Sequence, residues 1–357
     1  MLTGNKGEWS ELYTFLKILA DGRFHAADQD LNEINSLSYP VLAVIRTEGE
    51  TTREYRRNSD YVSIVVNREE IARIPLERVQ RKAQLLFEKI KASKATFTVP
   101  EISLFLADLF IEKLKAKSED KGDIKVIIHD AYTGQQSMFD FSIKSELGRA
   151  PTLFNSSGAT NFIFSIRNIN DELLGEVNAL NPNRGKIRAK LLKLHELGCE
   201  LNFQGVSDRT FNCNLQLIDS FLPEILSHIV YYYYSGNGSS MQKLLELLNE
   251  RNPLEYDLGI SHPFYEYKLK AFLTDVALGM MPGSLWDGRY DATGGYLIVR
   301  DDGEIVCYHN YNRNEFQDYL IARTKLETPS SSKYDFGYVY KENNSYYIKL
   351  NLQIRFM

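Results

Sequence analysis

Apolar and polar positions alternate in the middle of the chain and predict a β-hairpin. Residues 123–130 (DIKVIIHD) and 138–145 (MFDFSIKS) each alternate with a period of two, and the residues between them, AYTGQQS, have the composition of a turn. In the second strand the apolar side chains share one face, and the other face carries Asp140, Ser142 and Lys144. This polar face is either a strand surface exposed to solvent or one half of a functional site.

Other segments show helical or strand periodicity. Apolar spacing of three and four predicts helices at residues 8–20, 74–93, 100–117, 184–198, 219–240 and near 264–280. Strands are predicted at residues 60–67, 296–301, 304–309, 336–342 and 346–356. The pattern favours an α/β (α+β) fold, with a mixed central sheet flanked by helices and a β-rich C-terminal part.

The composition and charge of the chain limit the classes of protein to which it can belong. Hydrophobic residues make up 43% of the 357 residues and aromatics 12%, which excludes a disordered chain. The net charge of −5 gives no sign of a nucleic-acid binder, but a global sum does not exclude a local basic surface. There is no N-terminal leader pattern and no run of about 18 apolar residues, so a soluble cytoplasmic protein with no membrane contact is expected.

The hairpin brings together chemistry suited to a phosphodiesterase. If the turn is centred near residues 133–134, Asp123 lies opposite Lys144 and both project from one face. A hard cation such as Mg²⁺ takes carboxylate and water oxygens as ligands, and a lysine offsets the charge that develops on a phosphate. Asp123 and Lys144 alone form a weak pattern, since a solvated strand face gives the same repeat.

This arrangement resembles the PD-(D/E)XK nuclease core, in which a second acid stands two residues before the lysine. Here that position is Ser142. Some restriction enzymes of that superfamily also have a serine there and take a glutamate from elsewhere, often from the first core helix. The resemblance therefore implies Glu11 as the second metal ligand, with Glu8 on much of the same helical face as second choice and Glu146 as third.

Longer blocks carry a more specific resemblance. GNKGEWSELYTFLKILADG, FSIKSELG, PTLFNSSGATNF, MMPGSLWDG, ETPSSSKY and YIKLNLQIRF together resemble the HpaII family of type II restriction endonucleases from residue 4 to 356. The resemblance implies Mg²⁺-dependent cleavage of double-stranded DNA at CCGG, between the two cytosines, and a cognate DNA methyltransferase. Because a palindromic site favours two-fold symmetry, a homodimer on DNA is expected.

Three segments are candidates for DNA contact. In LGRAPTLFNSSGATNF, Arg149 suits guanine, and Asn155, Ser156, Thr160 and Asn161 suit phosphates or bases. Phosphate contacts are also predicted for Arg184, Lys186, Arg188, Ser331 and Lys333. The alternatives are a surface loop, a solvated helix face and a turn between two strands. We expect residues 1–254 to form the nuclease core with helical insertions and residues 255–357 an α+β part contributing to DNA recognition.

A second function remains open at the sequence level. Because Ser142 stands where an acid is expected, the chain is also consistent with a catalytically decayed nuclease fold that binds specific DNA without cutting it. The two hypotheses differ in whether a second carboxylate reaches Asp123 and Lys144.

Overall fold

The computed structural model describes residues 2–115, 122–129 and 134–357. The helices of these residues are α1 (Lys6–Asp21), α2 (Leu76–Ala92), α3 (Ser103–Asp108), α4 (Asp171–Ala179), α5 (Lys186–Glu196), α6 (Arg209–Ile218), α7 (Leu222–Tyr234), α8 (Met241–Arg251), α9 (Phe264–Leu278), α10 (Arg313–Arg323) and α11 (Ser331–Tyr334). The strands are β1 (Thr3–Gly4), β2 (Arg23–Ala27), β3 (Glu33–Glu48), β4 (Thr51–Arg57), β5 (Tyr61–Val66), β6 (Glu69–Pro75), β7 (Phe97–Thr98), β8 (Ile124–His129), β9 (Gln136–Ser145), β10 (Thr152–Phe154), β11 (Asn161–Arg167), β12 (Glu200–Val206), β13 (Gly295–Val299), β14 (Ile305–His309), β15 (Thr324–Leu326), β16 (Val339–Glu342), β17 (Ser345–Asn351) and β18 (Ile354–Phe356).

The expected mixed α/β composition is confirmed, and contacts divide the chain into two units. The first unit comprises Met1–Pro151 and Tyr290–Tyr319, and the second comprises Thr152–Arg289 and Leu320–Met357. The boundary predicted at residues 254–255 separates a nuclease core from a part that contributes to DNA recognition. It stays a prediction, because contacts within the chain do not test these roles. In the described residues no helix is long and apolar enough to cross a membrane.

A nine-stranded sheet forms the centre of the first unit. Its order is β2-β14-β13-β9-β8-β3-β4-β5-β6. The pairs β13–β9 and β14–β2 are parallel, and the other neighbouring pairs are antiparallel, so the sheet is mixed. Strand β9 has β8 on one side and β13 on the other. The predicted hairpin is therefore confirmed for β8 and β9, and it lies inside the sheet instead of at its edge.

Helix α1 is fixed to this sheet by both packing and hydrogen bonds. Asn5 and Glu8 form a capping box at its start, and Gly22 ends it with a left-handed φ of 71°. Its apolar face, which includes Trp9 and Leu12, is buried in the core. The hydroxyl groups of Ser10 and Ser145 are 2.9 Å apart, which ties α1 directly to the end of β9.

The second unit contains two smaller sheets and most of the helices. Strand order is β12-β11-β17-β16 in one sheet and β10-β18-β15 in the other. Helix α7 is buried along much of its length and contacts α6, α8 and α9. The helices predicted at residues 184–198, 219–240 and 264–280 correspond to α5, α7 and α9, with shorter bounds.

The helix predicted at residues 100–117 is wrong in length. A 3₁₀ turn at Pro100–Ile102 leads into α3, which ends at Asp108. Phe110 has a φ of +58°, a left-handed conformation that a continuing α-helix does not allow. Residues 116 and 117 of the predicted helix lie outside the described residues, as does Asp130 at the end of the predicted first hairpin strand.

We predict that Gly295→Ala destabilises the first unit. Gly295 has a φ of +101°, and a Cβ there would overlap the backbone carbonyl oxygen of Tyr308 on the paired strand. Strain of this kind costs about 1–3 kcal/mol, which urea denaturation measures as a lower free energy of unfolding. Gly148→Ala is the control, because a Cβ there comes no closer than 3.4 Å to the nearest side chain and needs no positive φ. Equal midpoints for the two variants would contradict the prediction.

Candidate active site

The carboxylate of Asp123 is held at the start of β8 by two donors from β9. The Ser142 hydroxyl donates to Asp123 Oδ2 at 3.1 Å, and the backbone N–H of Ile143 donates to the same oxygen at 2.7 Å. The N–H of Asp123 in turn donates to the carbonyl of Phe141 at 2.8 Å. These bonds orient one carboxylate oxygen toward β9 and define the position of the side chain.

The hairpin register differs from the predicted one by two residues. Ile124 pairs with Phe141, whereas a turn centred near residues 133–134 would pair Ile124 with Ile143. The prediction that Asp123 lies opposite Lys144 is therefore wrong, and Asp123 contacts Ser142 instead. A shift of two residues keeps every side chain on its face, because the period of a strand is two. Asp123 and Lys144 thus still belong to one site.

Lys144 lies behind Ser142 in the same row of polar groups. Its ammonium donates to the Ser142 hydroxyl at 3.1 Å and lies 5.0 Å from the ring centroid of Tyr296. Burial lowers the pKa of the Lys144 ammonium, and the negative charges of Asp123 and Glu11 act in the opposite direction. The row Asp123–Ser142–Lys144 therefore separates an acid and a cation by one hydroxyl group.

Glu11 on α1 is the predicted second metal ligand, and its charge interacts with those of Asp123 and Lys144. Burial raises the pKa of its carboxyl, its hydrogen bond with Lys115 acts to lower it, and the charge of Asp123 raises it again. The side chain of Glu11 is only 16% exposed and forms an ion pair with Lys115 at 2.8 Å. Asp123 is thus close enough for its charge to raise the pKa of the Glu11 carboxyl.

The two alternative acids are placed differently. The carboxylate of Glu8 accepts from the backbone N–H of Asn5 at 2.8 Å and closes the capping box of α1. Glu146 is exposed and follows the last residue of β9, with its N–H donating to the carbonyl of Val299. Glu11 is therefore the acid for which the structure gives the closest relation to Asp123 and Lys144.

The donor set of Asp123 and Glu11 fits a hard divalent cation. The two carboxylates share a partly buried region in which the charge of Asp123 disfavours that of Glu11, so a cation between them would relieve the repulsion. Within residues 2–115, 122–129 and 134–357 there is no group of three or more His, Cys, Asp or Glu side chains that could hold a metal ion. Mg²⁺ needs no such cage, because it is often bound by one or two carboxylates together with water and substrate phosphate.

A basic cavity in the second unit gathers four of the residues predicted to contact DNA. Its volume is about 510 Å³. The lining residues are Asn183, Arg184, Gly185, Lys186, Ile187, Arg188, Tyr233, Tyr234, Gly236, Gly238, Ser239, Thr328 and Ser331. No acidic residue is among them, and no ion pair of the described residues involves Arg184, Lys186 or Arg188. Lys193 on the same helix, in contrast, pairs with Glu176 at 2.7 Å.

The segment after the hairpin is more ordered than the predicted loop. It contains β10, a 3₁₀ turn at Gly158–Thr160 and the start of β11. Thr160 and Asn161 are buried, and both bond to Asn351, so we leave these two out of the proposed DNA contacts.

The remaining candidates for DNA contact lie near the surface. Arg149, Asn155 and Lys333 are exposed, and Ser156 is partly exposed. The predicted DNA role of these four residues stays a prediction.

Sequence reasoning missed two residues of the candidate active site. Tyr296 reaches Lys144 because β13 pairs in parallel with β9, which aligns Tyr296 with Ser142. Lys115 reaches Glu11 from a segment that the sequence pattern places in a helix. Neither contact has a local signal, because parallel pairing and ion pairs across more than 100 residues leave no periodicity.

Comparisons with known proteins match nearly the whole chain. The sequence model of the family described as HpaII restriction endonuclease matches residues 5–356. The chain is 43% identical over 359 residues to the type II restriction enzyme HpaII of Haemophilus parainfluenzae, covering 99% of each sequence. No solved structure matches.

Proposed function

The chain belongs to the HpaII restriction endonuclease family and is a type II site-specific deoxyribonuclease, and we propose that it cleaves double-stranded DNA at CCGG, between the two cytosines, by Mg²⁺-dependent hydrolysis. The sequence CCGG and the cut position rest on the family resemblance. The observation that supports the chemistry is the row Asp123–Ser142–Lys144 with the Glu11 carboxylate beside it. This set supplies two acids, one cation and a hydroxyl group that spaces them.

The core that holds these residues is, in our proposal, of the PD-(D/E)XK type. Its support is the central hairpin β8–β9 in a mixed sheet, with Asp123 before the first strand and Lys144 near the end of the second. The acid of the first helix, Glu11, takes the place of the acid that Ser142 cannot supply. The expectation of a second metal ligand on α1 agrees with this arrangement.

Each polar residue has a separate role in the proposed mechanism. Restriction endonucleases typically use divalent metal ions, and we assign Mg²⁺ to Asp123 and Glu11. The bound ion would polarise the scissile phosphate and lower the pKa of a water molecule. Lys144 orients the attacking water and offsets the negative charge that grows on the phosphate. Ser142 hydrogen-bonds to both Asp123 and Lys144, and the Lys144 ammonium retains two further N–H donors for the substrate.

A restriction enzyme binds double-stranded DNA, and the basic cavity of the second unit is our proposed contact with its backbone. Arg184, Lys186 and Arg188 have no carboxylate partner in the described residues, so their charge is available to phosphate. Burial lowers the pKa of the neighbouring Lys190, and the charge of Lys186 lowers it further, as expected where positive charge is uncompensated. We further propose a homodimer on the palindromic site, a cognate methyltransferase that protects the host, and action in the cytoplasm, where the DNA is.

The decayed-nuclease alternative retains one specific observation in its favour, the serine at position 142. Incubation with a plasmid that contains CCGG separates the two functions. Fragments in Mg²⁺ but not in EDTA support the endonuclease, and a gel shift without cutting supports the alternative. A plasmid without CCGG is the control for sequence specificity.

We predict that Lys144→Ala removes most of the cleavage activity but leaves specific DNA binding measurable. The lysine acts on the water and the transition-state charge, so its loss should lower the single-turnover rate by on the order of 10²–10³. Lys125→Ala is the matched control, because Lys125 lies on the neighbouring strand and pairs with Asp140 at 3.6 Å. Similar rates for Lys144→Ala and wild type would exclude the proposed site.

We predict that Asp123→Ala and Glu11→Gln each inactivate the enzyme, whereas Ser142→Ala costs about tenfold or less. Gln keeps the shape of Glu but lacks the charge that a divalent ion requires of its ligand. Ser142→Ala removes hydrogen bonds to Asp123 and Lys144, but the Ile143 N–H still holds Asp123 and neither a metal ligand nor the cation is lost, so the effect on the rate should be the smaller one. The measurement is cleavage rate against Mg²⁺ concentration.

Two further glutamates control for general loss of negative charge. Glu8→Gln keeps an acceptor for the Asn5 N–H and loses only a favourable charge at the start of α1, so it should leave the cleavage rate near wild type, and Glu146→Gln should be mild. An active Glu11→Gln beside an inactive Glu146→Gln would move the second ligand to the end of β9.

We predict that Lys186→Ala and Arg188→Ala each weaken DNA binding equally for specific and unspecific sequences. Each lost phosphate contact should lower the slope of log affinity against log salt by about 0.9. Binding is measured in Ca²⁺, without cleavage, between low and moderate salt. Lys193→Ala is the control on the same helix, since that lysine is already paired with Glu176. An unchanged salt slope in both variants would remove the cavity from the DNA interface.

A further inference from the structure

Lys115 is a second lysine of the candidate active site, and no sequence pattern singles it out. Its ammonium lies 2.8 Å from Glu11 Oε1, with the lysine side chain 57% exposed and the glutamate side chain 16% exposed. The more exposed end of this ion pair is thus the lysine, which approaches from the solvent side. The glutamate is fixed by α1, which is bonded to β9 through Ser10.

The charges around this ion pair are predominantly negative. Burial acts to lower the pKa of Lys115, but its hydrogen bond and ion pair with Glu11 and the charges of Asp123 and Glu8 outweigh burial, so the pKa is raised. The same ammonium therefore interacts with three carboxylates, two of which are the proposed metal ligands. Repulsion among these carboxylates is relieved by whichever cation lies between them.

A lysine ammonium and a divalent ion cannot both occupy the Glu11 carboxylate oxygen at contact distance without repelling each other. The ion carries twice the charge, and the lysine has an exposed side chain that can turn toward solvent. The exchange therefore replaces a weak, partly exposed ion pair by a stronger coordination bond.

We propose that Lys115 is a placeholder cation, which occupies the Glu11 carboxylate in the metal-free enzyme and is displaced when a divalent ion binds. This inference rests on the proposed function for the identity of the metal ligands. It assigns Lys115 a role in setting metal affinity and holding Glu11 in place before the ion arrives. Lys144 retains the catalytic role.

The test measures binding of Mn²⁺ alone to the full-length protein without DNA, by calorimetry at pH 8. Lys115→Met removes the competing cation, so the dissociation constant for Mn²⁺ should fall by roughly two- to fivefold, the factor that an ion pair of this exposure is worth. Lys115→Arg keeps the charge and should bind Mn²⁺ no more tightly than wild type. Added salt should reduce the difference between Lys115→Met and wild type, because it screens the ion pair.

Two controls separate the contact with Glu11 from a change in net charge. Lys113→Met removes the same charge two residues away, from an exposed lysine that forms no ion pair with Glu11 in the described residues, and should leave Mn²⁺ affinity near wild type. In a Glu11→Gln background, Lys115→Met should give no gain in affinity, since there is no carboxylate left to compete for. This double-mutant cycle isolates the coupling between the two residues.

Several outcomes would overturn the placeholder role. An unchanged or weaker Mn²⁺ affinity in Lys115→Met would show that the lysine supports the site instead of competing for it. An equal gain in Lys113→Met, or a gain that persists beside Glu11→Gln, would reduce the effect to net charge. If Glu11→Gln alone leaves Mn²⁺ affinity unchanged, Glu11 is not a ligand and the placeholder role fails too. Plasmid cleavage by the wild type decides the nuclease function independently of all these results.

Discussion

Strand β9 lies between two other strands, and this position constrains everything around Lys144. Burial lowers the pKa of the Lys144 ammonium, and a buried charge without compensation costs several kcal/mol, so protein groups must largely solvate this lysine. The groups that provide this solvation are the Ser142 hydroxyl, the face of the Tyr296 ring and the fields of Asp123 and Glu11.

The position of α1 follows from the same strand. Ser10 bonds to Ser145 and Lys6 donates to the carbonyl of Leu147 at 2.8 Å, so the first two turns of the helix are fixed to the end of β9. The buried apolar face of α1 sets its rotation about its own axis. With the rotation and the height of the helix both defined, the backbone position of Glu11 is fixed, and its side chain is held by the ion pair with Lys115. Core packing of the first unit and the geometry of the two acids are therefore linked.

Local patterns predicted the hairpin and the faces of its side chains, because alternation depends only on neighbouring residues. The predicted register of the hairpin is wrong by two residues, because the register depends on the length and conformation of the turn. Helix α3 is shorter than the spacing of apolar residues predicts, because Phe110 takes a left-handed conformation that this spacing does not reveal. Tyr296 and Lys115 were missed for a different reason. Their contacts join segments far apart in sequence, and a single sequence carries no signal for such pairs.

The serine at position 142 and the glutamate on α1 have the same physical explanation, the repulsion between two neighbouring carboxylates. The Ser142 side chain lies 3.1 Å from Asp123 Oδ2, so a carboxylate in its place would set two negative charges at contact distance before any cation is bound. Serine replaces this repulsion by a hydrogen bond that its hydroxyl donates to Asp123, and the same hydroxyl accepts a second hydrogen bond from Lys144. The second negative charge then comes from α1, where Lys115 neutralises it. With Glu11 as the proposed second ligand, each charged group of the metal-free site has a partner: Asp123 and Lys144 bond to the Ser142 hydroxyl, and Glu11 pairs with Lys115.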